Sequence, residues 1–233
     1  MVRKCVMAVL VAAASVSVSS AQAEPLLWGV QVEQLEYRLG DDTDVQAWDA
    51  DVFVGSDEIK AVWRTEGEYA TEENKFETLE NQLRAQVPVS TFFDAVAGVR
   101  VDTPNGPDRV YGVVGVKGLA PQWFEVDLDF FLSDRPQIRF EAEYEGLITN
   151  RLILVPSFEV DLPLVDDEAI GFGAFGPKVE VGARLSYDLV DRLLSPYVGV
   201  HYERKFGETK DLANEEGEDD EAFYLVTGTR VIF

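Results

Sequence analysis

The sequence runs to 233 residues with a formal net charge of −23, one histidine, one cysteine and two methionines. That charge sets nucleic acid aside as a partner, because phosphate binding needs a basic face. The lone Cys5 falls in an N-terminal leader, so disulfides, zinc–thiolate centres and cysteine nucleophiles are excluded from the rest of the chain.

The leader opens with Arg3 and Lys4, continues as an apolar and small-residue run from Cys5 to Val18, and ends in Ala21-Gln22-Ala23. A basic start, a short apolar stretch and a small-x-small site form a secretory signal, and the run falls short of the about 20 apolar residues a spanning helix needs. Cleavage is predicted after Ala23, which makes 1–23 a signal peptide and 24–233 the working domain. Met1 and Met7 leave with the signal, so the predicted mature chain keeps His201 and no methionine.

From Trp28 onward the chain reads as successive period-2 segments of about 9–13 residues, the length of a tilted membrane strand. The first is irregular, its apolar phase shifting between Val32 and Leu35. In the second, Trp48, Ala50, Val52 and Val54 oppose Asp49 and Asp51; in the third, Ile59, Ala61, Trp63 and Thr65 oppose Lys60, Arg64, Glu66 and Glu68. The seventh sets Phe124, Val126, Leu128, Phe130 and Leu132 against Glu125, Asp127 and Asp129, and the eighth sets Ile138, Phe140, Ala142 and Tyr144 against Arg139, Glu141, Glu143 and Glu145. The tenth sets Val179, Val181, Ala183, Leu185 and Tyr187 against Lys178, Glu180, Arg184 and Asp188. Segment centres fall near Val32, Asp51, Trp63, Leu83, Ala97, Val114, Leu128, Glu143, Phe158, Ala183, Val200 and Thr227, and no long window has helical periodicity.

Alternate side chains share a strand face, so each segment has an apolar face and a charged one. A soluble sandwich and a membrane barrel both satisfy that pattern. Three features favour the barrel. Connections near Ser56, Pro88, Pro121, Asn150 and Arg192 are short, while those near Asp42, Glu73, Asn105, Ile170 and Glu216 are longer and more polar, with a short exception near Arg135; outer-membrane barrels pair short periplasmic turns with longer external loops. Aromatics (Trp28, Trp63, Phe92, Phe93, Trp123, Tyr197 and Tyr202) gather near segment ends, as interfacial girdles do. The last segment runs Phe223, Leu225, Thr227, Thr229, Val231, Phe233 on one face and ends in phenylalanine, resembling an outer-membrane assembly signal. The predicted fold is all-β: a transmembrane antiparallel up-and-down barrel of about twelve strands. It is expected in the outer membrane of a Gram-negative cell, among lipid and lipopolysaccharide.

The charged face becomes the lumen lining. Opposite charges on neighbouring strands stabilise one another, so a salt-bridge network filling a narrow barrel is one reading, and a cation-attracting interior is the other. Carboxylates bind hard cations, and histidine suits borderline ones. Lumen candidates for a metal are therefore His201, Glu203, Asp49, Asp51, Glu66, Glu68, Glu141 and Glu143, with Tyr197 and Lys205 on the same face as His201. The acidic run Glu215–Glu221 reads as a solvated loop. Gly171-Phe-Gly-Ala-Phe-Gly176 matches a dinucleotide fingerprint by letter but precedes a strand instead of a helix, so it reads as a mobile external loop. A Ser-His-acid hydrolase would have to use His201, and no serine stands at a matching strand position; no enzyme activity is expected.

The strings Ala47-Trp-Asp-Ala-Asp51, Trp63-Arg-Thr-Glu-Gly-Glu68, Ala97-Gly-Val-Arg100, Gly115-Val-Lys-Gly-Leu-Ala-Pro-Gln-Trp-Phe-Glu125, Arg139-Phe-Glu-Ala-Glu-Tyr144, Leu152-Ile-Leu154, Glu180-Val-Gly-Ala-Arg-Leu185 and Pro196-Tyr-Val-Gly-Val-His-Tyr-Glu-Arg-Lys-Phe-Gly207 resemble the C-terminal barrel of the copper resistance protein B family. The resemblance implies copper tolerance, by binding or exporting copper at the outer membrane together with periplasmic copper-resistance partners, and copper is the only metal it implies. Family members commonly carry a Met- and His-rich segment ahead of the barrel; here a few residues separate Glu24 from the first segment, and soft ligands for Cu(I) are missing. A general small-cation or solute channel is the alternative function, and an outer-membrane hydrolase a more distant one.

Overall fold

The computed structural model describes residues 25–40, 43–103, 106–190 and 192–233, and the predicted signal peptide lies outside them. The strands are β1 (Leu27–Leu39), β2 (Val45–Gly55), β3 (Lys60–Ala70), β4 (Lys75–Pro88), β5 (Phe93–Asp102), β6 (Arg109–Ala120), β7 (Phe124–Leu132), β8 (Gln137–Tyr144), the two-residue β9 (Gly146–Leu147), β10 (Leu152–Pro163), β11 (Lys178–Tyr187), β12 (Leu194–Lys205) and β13 (Glu221–Ile232), with one helix, α1 (Gly207–Glu216), between the last two. Apart from β8 and β9, each strand pairs antiparallel with its chain neighbour, and β13 closes on β1 through Tyr37↔Thr227 and Val32↔Val231. β8 and β9 form one stave broken at Glu145, both pairing with β10. Twelve staves therefore close into an up-and-down barrel, and every predicted segment centre falls inside one of them.

Alternation sets which face meets lipid. On β7, Leu128, Phe130 and Leu132 are exposed while Asp127, Asp129 and Phe131 are buried. Leu83, Val99, Val114, Leu154, Val181 and Val198 continue the outward apolar face on neighbouring staves. A continuous apolar surface of this kind is incompatible with water as a neighbour and is the outer band of a membrane barrel. Closure removes the sheet edges that hydrocarbon would leave unpaired.

The phase slip in the first segment is a β-bulge. The register of β1 shifts between Val32 and Gln34 against β2, and between Val32 and Glu36 against β13. One extra residue reverses the parity of everything after it. Glu33 and Gln34 consequently both line the lumen, and Glu36 and Arg38 point inward, 4% and 5% exposed.

The short connections carry turn chemistry. Ser56 Oγ accepts from Glu58 N–H at 3.2 Å, Ser90 Oγ from Phe93 N–H at 3.0 Å and Thr149 Oγ1 from Leu152 N–H at 2.9 Å, hydroxyl turns that need few residues. At Ala120–Trp123, Pro121 precedes Gln122 at φ 70°, and Trp123 N–H returns to Ala120 O at 3.2 Å, a type II arrangement. At the opposite end two connections are long, 164–177 and 206–220, but the one near Glu73 is only Thr71–Asn74. Its expected length is corrected because β3 and β4 stay hydrogen-bonded out to Ala70↔Lys75, so polar residues read as loop belong to the ladder.

Helix α1 was not expected. It holds only Leu212 and Ala213 as apolar residues beyond its glycine, too little to show a stripe. Its end is nevertheless well defined: Gly217 at φ 79° closes a Schellman motif, with Glu218 N–H on Ala213 O at 2.8 Å and Gly217 N–H on Asn214 O at 3.3 Å. The acidic run is thus split among a helix end, a cap and the start of β13. Tyr197 is also corrected: it is 5% exposed and points into the lumen, so it belongs to no outer girdle.

Candidate functional site

The lumen is crossed by arginines. Arg64 on β3 reaches Glu141 on β8 at 3.0 Å, a residue 77 positions away on the far side of the barrel, and also contacts Asp49 at 3.4 Å, Asp127 at 3.7 Å and its neighbour Glu66. Arg139 on β8 returns the contact to Glu66 at 3.0 Å and Glu80 at 3.3 Å while holding Asp161 at 2.8 Å. Arg84 on β4 binds Asp127 at 3.0 Å and also Asp129. Arginine suits this work because its planar fork serves several carboxylates at once.

These contacts enclose a packed core on the β4 to β8 side, from which Glu80, Lys117, Glu125 and Glu143 still face the open lumen. Within it the side chains pack without room for a solute: Gln82, Arg84, Val96, Tyr111, Val113 and Phe131 are all 2% exposed or less. Arg100 lies over the Phe131 ring at 4.2 Å and the Tyr111 ring at 5.2 Å, a cation–π stack strengthened by exclusion of water.

The other sector is open. A cavity of about 910 Å³ descends from the end bearing the long loops, where Gly40, Thr43, Glu168–Phe172 and Glu216–Asp219 line it, to Glu33, Glu125 and Glu143 deeper in the barrel. Beneath it, toward the short turns, Arg230 on β13 crosses to Glu145 at 2.6 Å, and Arg192 joins Glu145 at 3.3 Å. A second cluster braces the wall: Glu36, freed inward by the bulge, accepts from Arg184 at 2.8 Å, Arg38 at 2.8 Å and Tyr197 Oη at 2.9 Å. Gly228 makes room for this cluster, since a Cβ there would lie 2.7 Å from both the Tyr197 ring and Glu36 Cβ.

The predicted metal candidates do not form one site. Asp49, Glu66, Glu68 and Glu141 are taken up by arginines. Asp51 keeps one carboxylate oxygen buried without a partner, and Glu143 sits 3.9 Å from Arg230. His201 and Glu203 do come together, with Glu180, a residue the sequence placed on the lumen face but not among the metal candidates. Ligand atoms of these three lie within 4.8 Å of one another, the one such group among the described residues. Glu180 stands directly across from Glu203 in the β11–β12 ladder, and His201, two residues earlier on the same face, faces Gly182. His201 Nε2 lies 3.3 Å from Glu180, and Lys178 Nζ bridges Glu180 at 2.9 Å and Glu203 at 2.8 Å. Glu33, Glu36, Arg38, Glu80 and Lys117 also face the lumen and were absent from the sequence-based lining; the bulge hid the first three, while period-2 alternation could have found the last two.

Among the described residues no hydrolase constellation is assembled. Ser195 Oγ donates to Asp188 at 2.6 Å near the short-turn end of β12, while His201 sits toward the other end beside Glu180, Glu203 and Tyr224.

The two long connections lock together over the cavity mouth. Thr209 of α1 accepts from Gly173 N–H at 3.0 Å and donates to Gly176 O at 2.5 Å. The Gly171–Gly176 segment, expected to be mobile, is also tied by Ala174 N–H on Asp166 at 2.7 Å and Phe175 N–H on Pro163 O at 2.8 Å. Asp167, 1% exposed, receives Arg109 at 2.6 Å and Arg135 at 2.5 Å. On the far side of α1, the Lys210 ammonium, 2.6 Å away, holds the Asp220 carboxyl below its usual range.

Known proteins place this geometry. The solved NanC porin superposes with a TM-score of 0.55 at 12% identity, covering 88% of this chain and 99% of the porin, a likeness of fold. Copper resistance protein B of Escherichia coli is 36% identical over 88% of this chain and 69% of its own length. The copper resistance protein B homolog of Pseudomonas syringae pv. tomato is 34% identical over 86% of this chain and 68% of its own length. The family model described as copper resistance protein B precursor matches residues 26–233, and the chain belongs to that family.

Proposed function

We propose that this barrel sits in the outer membrane of a Gram-negative cell and serves copper tolerance by drawing copper ions into its acidic open sector and holding them there, without catalysis. The carrying observation is the cavity of about 910 Å³, open at the long-loop end and lined by Glu33, Asp49, Glu68, Glu143, Glu159, Glu180 and Glu203. Carboxylates over low-dielectric walls concentrate cations, and the Arg230–Glu145 contact at the base of the cavity restricts onward passage. The short turns face the periplasm in this reading, where copper-resistance partners would receive or deliver the ion, and the long loops face lipopolysaccharide.

The test compares a deletion strain with its complemented parent under copper challenge, with cell-associated copper measured. Raised sensitivity and altered copper content are expected, and unchanged growth would refute the copper role. The small-cation channel is kept as a second reading because the described lumen offers oxygen and one imidazole but no sulfur ligand. Steady single-channel conductance with no preference for copper would favour it.

A further inference from the structure

His201 is a buried polar residue that makes no hydrogen bond in the salt-bridge scaffold although it lies 3.3 Å from Glu180. It is 4% exposed, and neither ring nitrogen has a hydrogen-bond partner. Burying a polar group unpaired is costly, and such orphans are rare in folded proteins. The position across the ladder is Gly182, which contributes no side chain of its own, and the Ser157 hydroxyl and the Arg184 guanidinium lie over it, so the ring is flanked by polar groups instead of apolar packing. Its Nε2 points at Glu180, with Glu203 on the same face of the same strand.

We infer that Glu180, His201 and Glu203 form a binding site for a borderline divalent cation, copper(II) in the copper-holding role proposed above, on which that choice of ion rests. The Glu180–His201 separation of 3.3 Å matches the roughly 3.3 Å between ligands of a tetrahedral centre such as Zn(II) with bonds of about 2.0–2.1 Å, and the square-planar or tetragonal geometry of Cu(II) needs the carboxylates to draw in further. One imidazole and two carboxylates suit Cu(II) and Zn(II), in that order of affinity, and offer Cu(I) no sulfur. All three ligands sit on paired strands, so little ordering is needed on binding.

Lys178 is the built-in competitor. Its ammonium now neutralises Glu180 and Glu203; an arriving dication takes over both carboxylates, and Lys178 turns toward Glu68 and Glu77, which line the same cavity. The empty and loaded states are thus both charge-compensated, and the ion remains releasable.

Because His201 is the single histidine of the sequence, the wild-type protein can be tested without mutation. The full chain, carrying no histidine tag and stripped of metal in detergent, is loaded with Cu(II) alone and examined by electron spin-echo modulation. One coordinated imidazole is expected. In titrations, His201→Gln should weaken Cu(II) binding by at least about tenfold and Lys178→Ala should strengthen it by about tenfold, with Cu(I) under reducing conditions binding more weakly than Cu(II). Heat-modifiable gel mobility checks that each variant remains a folded barrel. Absence of imidazole coupling in the wild type, or unchanged affinity in His201→Gln, would overturn the site. If that happened while the deletion strain was still copper-sensitive, the site would fall and the proposed function would stand. Imidazole-bound Cu(II) in a barrel whose deletion leaves copper tolerance unchanged would do the reverse.

Discussion

The two sectors of one lumen are built from the same residue types and behave oppositely. Between β4 and β8, arginines and carboxylates occur with large inward apolar groups, and Tyr111, Val113 and Phe131 close the centre at 1% exposure or less. From β10 round to β3, carboxylates outnumber the cations among them and the inward aromatics, Tyr197 and Tyr224, leave the centre unfilled, so a cavity persists. Charge alone does not decide whether a barrel interior is solid or open. What decides is whether each cation has enough carboxylates in reach, and whether apolar groups fill the space the forks leave. Arg64 and Arg139 are the seam between the two regimes, since each touches carboxylates on both sides of the barrel.

The strongest way to break the comparison is to remove the seam. Arg64→Ala leaves Asp49, Glu66, Asp127 and Glu141 facing one another without their shared cation. Breaking a buried ion network by deleting one partner costs about 3–5 kcal/mol. The variant should lose that much in urea unfolding from detergent and merge the sectors; an unchanged unfolding midpoint would mean that the network is ornamental to stability.

The next substitution sharpens the open sector. Arg230→Ala removes the crossing to Glu145 at the base of the cavity. Single-channel conductance in planar bilayers should rise several-fold relative to the parent barrel, with cation preference retained because the carboxylates remain. Conductance equal to wild type would show that the passage is blocked elsewhere. A smaller effect is expected at the braced wall: Tyr197→Phe deletes one buried hydrogen bond to Glu36, which costs about 1 kcal/mol, visible in unfolding and silent in conductance.

Much of this architecture can be read in the sequence, and particular residues mark where reading stops. Alternation places Asp127 inward and Leu128 outward because lipid and lumen impose opposite solvents on one strand. Even the irregular first segment is legible as a slip near Val32, and the slip is the bulge that turns Glu36 into the hub of the wall. Alternation names a face and not a partner, however. Nothing in the spacing of Arg64 and Glu141 announces that they meet across the lumen, because that contact depends on the closed ring of staves. The same limit explains why Glu66 and Glu141 look like metal ligands in sequence and are arginine partners in the fold, while Glu180 joins His201 only through the β11–β12 register. Tyr197 sits near a strand end, where a girdle is expected, and its inward parity decides otherwise. Helix α1 escapes because its capping is local and its apolar face is almost absent.

The mouth of the cavity offers the finest distinction, between the hydroxyl that joins the two long loops and the ion pair that closes α1 onto β13. Thr209→Val removes the hydrogen bonds to Gly173 and Gly176 and should loosen the loops locally by about 1–2 kcal/mol, detected as faster protease nicking near 171–176 with global unfolding unchanged. The Lys210–Asp220 contact is half-exposed, is screened by salt, and should matter less. Its pH signature is still definite. The Asp220 carboxyl is lowered from its ordinary 3.8, so the contact's contribution is complete above that ordinary value and is lost as pH falls through the lowered one. Amide protection around Glu218–Glu221, taken relative to the intrinsic exchange rate at each pH, should therefore fall only on the acid side, and Lys210→Ala should bring the same low protection to neutral pH. If that protection in the wild type is flat across the acid range, the helix end is held by Gly217 and its Schellman hydrogen bonds alone.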